Sequence, residues 1–323
     1  MRAIVQYEYG PGDVLKFEEV DRPAIKDDGV LVRIRAASLH IGDWHVFRGM
    51  PYVMRPAFGL RRPKQRVPGT DIAGKVEAVG KDVTRFQPGD DVFGWCKGGF
   101  AEYASTGETK LVPKPANLTF EQAAAVPTSA LTALQAIRDH GKVQPAQKVL
   151  ITGASGGVGS FAVQIAQALG AEVTGVCSTR NVNMVRSIGA THVIDYTLED
   201  FTTGEQRYDL ILDNVGNHSL SETRRALAPN GRLLANGAPV QGWFGGLGQV
   251  IKALTMSLFV RQQGRPFVSM PNDEGLAALK ELTETGKFTP VIDRVYPLDE
   301  TAAAMAHIGE GHAQGKTVIT VSD

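Results

Sequence analysis

Apolar and polar positions alternate over residues 2–9 and 13–20, and Gly10-Pro11-Gly12 between them predicts a hairpin. Val30-Leu31-Val32-Arg33-Ile34-Arg35-Ala36 reads as a further strand. From Asp71 the strand pattern resumes in short pieces broken by turns (IAGKVEAVG, DDVFG, FAEYAS, KLVPKP), which suggests a compact, mainly β, barrel-like unit. Residues 121–140 switch to a helical period, with a break at Pro127, which lacks an N–H. From Lys148 strand and helix alternate: strands at 148–152, 172–177, 192–195, 208–213 and 231–236, helices at 158–169, 181–188 and 218–227. That alternation predicts a parallel sheet covered on both faces. A helix at 273–285, strands at 291–298 and 316–322 and a helix at 299–309 close the chain. These last pieces read like the first region. The expected fold is therefore α/β, with a doubly wound parallel-sheet domain over 123–289 and a discontinuous β domain made of 1–122 and 290–323.

Two stretches fit this outline less simply. Residues 55–66 are rich in Pro and carry Arg55, Arg61, Arg62, Lys64 and Arg66; they read as loop, either solvated or admitting an anionic cofactor or substrate. Residues 239–270 place Leu247, Ile251, Leu254 and Leu258 on one helical face, interrupted by Lys252. That helix would pack on the protein or a second subunit, or lie on a membrane surface or cap a substrate.

The chemistry starts at Lys148–Gly170. Val149-Leu150-Ile151 is followed by Gly153, Ala154, Ser155, Gly156, Gly157, Val158 and Gly159, and then Val158, Phe161, Ile165 and Leu169 recur at helical spacing. Strand, glycine turn, helix is the context of a dinucleotide loop, where backbone approaches a pyrophosphate and the helix N–H groups face it. A site for NAD usually ends the next strand with an acid that binds the ribose 2′-OH. Here that strand ends in Cys177 and continues Ser178-Thr179-Arg180, with no acid. Hydroxyls and a guanidinium suit a 2′-phosphate, so NADPH is the expected cofactor; otherwise Arg180 is a solvated helix-start residue.

Composition narrows the classes. Lys+Arg and Asp+Glu both number 34, a formal net charge of zero, which gives no global reason to expect nucleic acid as partner. Cys96 and Cys177 offer neither a disulfide framework nor a cysteine zinc cluster. No apolar run is long enough for a membrane span and no leader pattern is evident, so a cytoplasmic location is expected.

The motifs VPGTDIAGKVEAVG (67–80), FQPGDDVFG (86–94), GGFAEYA (98–104), GASGGVGSFAVQIAQALGA (153–171), YDLILDNVG (208–216) and GRLLANG (231–237) occur together and in order. In them the chain resembles the medium-chain dehydrogenase/reductases, on the zinc-free quinone oxidoreductase side. The resemblance implies a GroES-like domain beside a Rossmann domain, and a homodimer. In zinc-dependent relatives a Cys, a Gly-His-Glu element and a second Cys hold the metal. Here these positions read His40, Gly69-Thr70-Asp71 and Pro127-Thr128, so no metal is expected. Hydride transfer without a Lewis acid suits an electrophilic acceptor, a quinone or an alkene conjugated to a carbonyl. His40, Asp43 or Tyr52 would relay the proton, or solvent would supply it; His40 and Asp43 otherwise serve as structural partners. Further cofactor contacts implied by the resemblance are Thr128, Thr132, Tyr196, Asn214, Gly216, Gly237 and Ala238, and Lys316 unless it is a strand-edge lysine. The alternative to a reductase is an NADPH-binding protein with an interaction role, docking through 239–270.

Overall fold

The computed structural model describes residues 1–52, 55–236, 263–267, 269–311 and 313–322. The chain folds as two compact units, Met1–Leu131 with Pro271–Asp323, and Thr132–Met270. The expected boundaries, at 122/123 and 289/290, differ from these. Helix Asp273–Glu284 belongs to the first unit, where Gly275 packs against Leu131 and Asn117 donates to the carbonyl of Thr283 at 2.8 Å.

In unit 1, β1 (Arg2–Gln6) and β2 (Leu15–Glu19) form the expected hairpin, Arg2 opposite Glu19. Next come β3 (Gly29–Leu39), β4 (Asp71–Val79), β5 (Asp91–Trp95), β6 (Tyr103–Gly107) and β7 (Leu111–Pro113). β3 is the spine: β4 and β6 both pair with it antiparallel. Its register against β4 shifts between Leu31 and Val32 and again between Ile34 and Ala36; such bulges bend a sheet. Two short helices lie where no element was predicted, Ile41–Arg48 and Arg55–Phe58.

Unit 2 holds β8 (Lys148–Thr152), β9 (Glu172–Cys177), β10 (His192–Asp195), β11 (Tyr208–Asp213), β12 (Leu227–Ala235) and β13 (Gln263–Pro266). They form a parallel sheet in the order β10-β9-β8-β11-β12-β13. Counted from β8 this is 3-2-1-4-5-6, the doubly wound order. Leu150, Ile211 and Leu233 are buried in neighbouring strands; full burial of each such side chain contributes about 1.5–3 kcal/mol. Helix Gly157–Ala168 is buried continuously from Gly159 to Ala166, not only along the predicted face.

β13 is a strand that the reading of 239–270 did not foresee; it lies beyond the helical face expected at Leu247–Leu258. As the edge of the sheet it tolerates Pro266. Gly237, Ala238 and the helix predicted around Leu247–Leu258 lie outside the described residues.

The chain then returns to unit 1. β14 (Ile292–Pro297) and β15 (Lys316–Thr320) pair parallel, and β15 pairs antiparallel with β3. Met305, Ile319 and Val321 share one core with Ile4, Leu39, Ile72 and Phe100. Residues far apart in sequence thus bury one another, which is why the first unit is discontinuous.

Candidate active site

The glycine loop of unit 2 is built as its sequence requires. After Thr152 the chain enters Gly153 at φ +60, in the left-handed region glycine favours. A Cβ on Gly159 would lie 2.1 Å from the Gly153 carbonyl oxygen, so glycine is needed for the helix to start this close. No side chain caps that helix at Gly156. Its first-turn N–H groups are thus left for a ligand or solvent, the arrangement that suits a phosphate.

Two hydrogen-bond systems hold the loop. Buried Asn181 donates through Nδ2 to Ser155 Oγ at 2.9 Å and to Ser178 Oγ at 3.3 Å, tying the loop to the end of β9. Thr152 Oγ1 donates to Asp213 Oδ1 at 2.7 Å and accepts from Asn214 N at 2.9 Å, and Gly216 N donates to the same Asp213 oxygen at 3.0 Å. Asn236 Nδ2 donates to Asn214 Oδ1 at 2.8 Å. These bonds join the ends of β8, β11 and β12 where the strand order reverses, the point at which such sheets take ligands.

At the end of β9, Ser178 is half-buried and Thr179 and Arg180 are exposed. The neighbouring carboxylate, Asp195 at the end of β10, is buried and accepts from Thr197 Oγ1 at 2.7 Å and Thr197 N at 2.9 Å. Hydrogen bonds from Thr179 and Thr197 hold its carboxyl below the usual range. Tyr196, 55 % exposed, donates its N–H to Cys177 O at 3.1 Å and so stands beside the same strand end.

Unit 1 contains a second polar cluster. Trp95, Asp71, Ser38 and Val318 are directly opposed across β5, β4, β3 and β15; opposed residues share a face. Asp71 is fully buried, accepting Thr128 Oγ1 at 2.5 Å on one oxygen and Thr128 N at 3.1 Å on the other. Trp95 Nε1 donates to Thr128 Oγ1 at 3.2 Å. His40 caps helix Ile41–Arg48: its Nδ1 accepts from Asp43 N at 3.3 Å, and Asp43 Oδ2 accepts from His40 N at 3.0 Å. With Nδ1 accepting, the neutral ring carries its proton on Nε2, which donates to Thr70 Oγ1 at 2.8 Å. Thr70 Oγ1 in turn stands 3.5 Å from Asp71 Oδ1. Lys316 is 1 % exposed, and its ammonium donates to Leu39 O at 2.8 Å and Ser129 Oγ at 3.0 Å.

Burial dominates the titration of this cluster. It lowers His40 to about 4 and raises Asp43 to about 7, the latter opposed by the His40 N–H and Lys316. It also raises Asp71, against His40, Lys316 and Thr128, and lowers Lys316, against Asp71 and Asp43. Among the described residues no group of three or more His, Cys, Asp or Glu is placed to hold a metal. No helix among them is long and apolar enough to cross a membrane.

Residues 26–116 match the family described as alcohol dehydrogenase GroES-like domain, and residues 188–319 the one described as zinc-binding dehydrogenase. The chain is 32% identical over 334 residues to a chloroplast envelope quinone oxidoreductase homolog of Arabidopsis thaliana, covering 99% of this chain and 98% of that one. The chain belongs to the medium-chain dehydrogenase/reductase superfamily and is quinone oxidoreductase-like. A 2-methylene-furan-3-one reductase of Solanum lycopersicum is 32% identical, with coverage of 99% and 79%. The solved quinone oxidoreductase of Coxiella burnetii superimposes with a TM-score of 0.87 at 28% identity, covering 100% of this chain and 99% of that one. Unit 1 therefore carries the GroES-like domain and unit 2 the Rossmann-like sheet of a medium-chain oxidoreductase.

Within this oxidoreductase fold the structure sorts the predicted residues into groups. Gly153–Gly159, Ser178, Thr179, Arg180, Tyr196, Asn214 and Gly216 gather at the carboxyl ends of β8, β9, β10 and β11. His40, Asp43, Thr128 and Lys316 join the unit 1 cluster. Lys316 is a correction as a strand-edge lysine: β15 lies between β14 and β3, so its ammonium is interior. The Tyr52 ring is stacked by Arg55 at 4.5 Å. Thr132 is buried in unit 2. Asn181 and the acceptor role of Asp213 escaped the sequence reading. Asp213 had a signal, an acid closing an apolar strand; Asn181 had none, because its partners are set by the fold.

Proposed function

We propose that this medium-chain reductase transfers a hydride from NADPH to a quinone or to an alkene conjugated with a carbonyl, without zinc. The observation that carries the cofactor choice is the end of β9. It carries Ser178, Thr179 and Arg180, while the adjacent acid, Asp195, is buried and takes hydrogen bonds from Thr179 and Thr197. A 2′-phosphate meets hydroxyls and a guanidinium there rather than an exposed carboxylate. The uncapped helix at Gly156 fits the pyrophosphate. When bound, the nicotinamide supplies the hydride.

The donor set in unit 1 supports chemistry without a metal. Both ring nitrogens of His40 are engaged, by Asp43 N and Thr70 Oγ1, and both oxygens of Asp71 accept from Thr128. Thr70 stands where the zinc-binding relatives place a histidine. A metal would have to displace these bonds, and two ligands do not complete a site.

Reduction by hydride also requires one proton on the acceptor. The groups that best hold it are His40 and Asp43: the Asp43 carboxyl is raised to about 7, and its Oδ2 lies 3.4 Å from His40 Nε2. A carboxyl titrating near neutrality can be refilled from solvent at each turnover. The His40 ring, lowered to about 4, stays neutral and presents Nε2–H as a donor. Lys316 and Asp71 hold this arrangement from behind.

Steady-state kinetics of Arg180→Glu test the cofactor assignment. The KM for NADPH is expected to rise at least about tenfold more than that for NADH. Equal rises for both would contradict it.

A further inference from the structure

Between Asp43 and Asp71 the sequence holds no acidic residue, although acids and bases are equal in number over the whole chain. The loop that closes this stretch keeps Arg55, Arg61, Arg62 and Lys64 within ten residues. Among the described residues none of the four pairs with a carboxylate; Arg55 Nε donates to Gly49 O at 3.0 Å, and Lys64 Nζ to Pro56 O at 3.1 Å and Ala57 O at 3.2 Å. An isolated solvated loop would let such charges spread. This one is folded tightly. Gly59 N donates to Arg55 O at 2.7 Å and Lys64 N to Phe58 O at 2.8 Å. Gly59 sits at φ +128, where a Cβ would fall 2.0 Å from Arg62 O, so glycine is what brings the backbone of Arg62 back against the helical turn. Tyr9 pins the same point by donating its hydroxyl to Gly59 O at 2.8 Å.

Arg55 is held most firmly. Its half-buried guanidinium carbon lies 4.8 Å from the Tyr9 ring centroid and 4.5 Å from that of Tyr52. Stacking on ring faces orients a guanidinium without neutralising it. The carbonyl of Gly49 and the helix end behind it offset only part of its charge. Arg61, Arg62 and Lys64 are exposed on the same loop. Like charges held close without an acid repel one another, and a bound anion relieves that repulsion.

We infer that this loop is an anion site that takes the negatively charged group of the hydride acceptor, so that the preferred acceptors are quinones or enones carrying a carboxylate, sulfonate or phosphate on a spacer. The spacer follows from the helix that connects the two places. His40 caps one end of Ile41–Arg48 and Arg55 is bonded to Gly49 at the other; eight residues at about 1.5 Å each separate them by about 12 Å. The inference rests on the reductase reading for its word "acceptor", but the anion site itself does not.

The test compares a naphthoquinone bearing an ω-carboxyalkyl chain of about ten carbons, long enough to span that helix, with its neutral methyl ester. The ratio of kcat/KM for acid over ester is measured at low and high salt in the wild-type chain. It is measured again in R61E/R62E and in K26E/K287E, which reverses two exposed lysines outside the loop. The wild type is expected to favour the acid about tenfold at low salt, with the preference eroded by salt. R61E/R62E should lose it and K26E/K287E keep it. A wild-type ratio near one, or a ratio unmoved in R61E/R62E, overturns the inference. If neither compound is turned over, the reductase reading fails. Equilibrium binding of acid and ester to the same proteins then decides: tighter binding of the acid, lost in R61E/R62E, upholds the anion site, and equal binding removes it.

Discussion

His40 and Asp43 enter the fold as two neutral groups. Between about pH 4 and 6.5 an unfolded chain carries a protonated histidine and an ionised aspartate; in the folded chain, with His40 lowered to about 4 and Asp43 raised to about 7, the proton sits on the acid instead. Both states bind the same number of protons, so the pair leaves stability nearly flat across that window. Removing one partner uncovers the other. In Asp43→Asn only the lowered histidine remains, so stability present above its unfolded value is lost as pH falls from about 6.5 to about 4, by up to about 3 kcal/mol. In His40→Gln only the raised carboxyl remains, so stability present below about pH 4 is lost as pH rises to about 7. Denaturant titrations at several pH values check both slopes, and slopes of the same sign would contradict the neutral pair. Asp71 is tested separately. Asp71→Asn keeps the shape but turns an amide towards one of the two Thr128 donors, with an expected loss of about 2 kcal/mol by chemical denaturation. An unchanged midpoint would show that the carboxylate does not organise this cluster. Asp71 is plain in the sequence, but only as a replaced zinc-ligand position; that it organises Thr128 and stands near His40 depends on β4 lying beside β3, which no local pattern reveals.

At the scale of elements, strands were more legible than helices. β8 and β11, in the middle of the sheet, follow apolar runs, because strands buried on both faces are written as continuous hydrophobic stretches. Helix Ile41–Arg48 was not read: its cap is a histidine and its third residue an aspartate, outside the usual Ser/Thr and Glu/Gln signature. β13 was hidden behind the apolar periodicity that precedes it and by its own Gly264 and Pro266. The strand, turn and helix around the glycine loop were legible because that geometry is local. Gly159→Ala tests that geometry: with 2.1 Å to the Gly153 carbonyl oxygen, the methyl forces the helix and loop apart. NADPH affinity is expected to fall at least about tenfold, with unit 1 retaining its fold. Unaltered affinity, measured by fluorescence titration, would place the nucleotide elsewhere.

At the scale of the whole molecule, the return of the chain to unit 1 is structural rather than incidental. β15 lies between β14 and β3, and Val318 and Ile319 are fully buried. A chain ending at Gln314 is expected to lose the unit 1 sheet along with the Lys316 ammonium behind the His40 cluster; retention of a cooperative transition and near-native circular dichroism would refute that dependence. The discontinuity was visible in the strand pattern of 291–298 and 316–322. The burial of Lys316 was not, since a lysine two positions before an apolar run reads as a solvated strand end.

Hydride transfer from NADPH to an activated acceptor without zinc has a simple assay. Its most direct measurement is NADPH consumption with a quinone, an enone and an aldehyde, before and after a chelator, alongside metal analysis. Consumption is expected with the quinone or the enone but not the aldehyde, with rates unaffected by the chelator and zinc far below about one per chain. Tight NADPH binding without consumption, or activity lost to the chelator and restored by zinc, would contradict it.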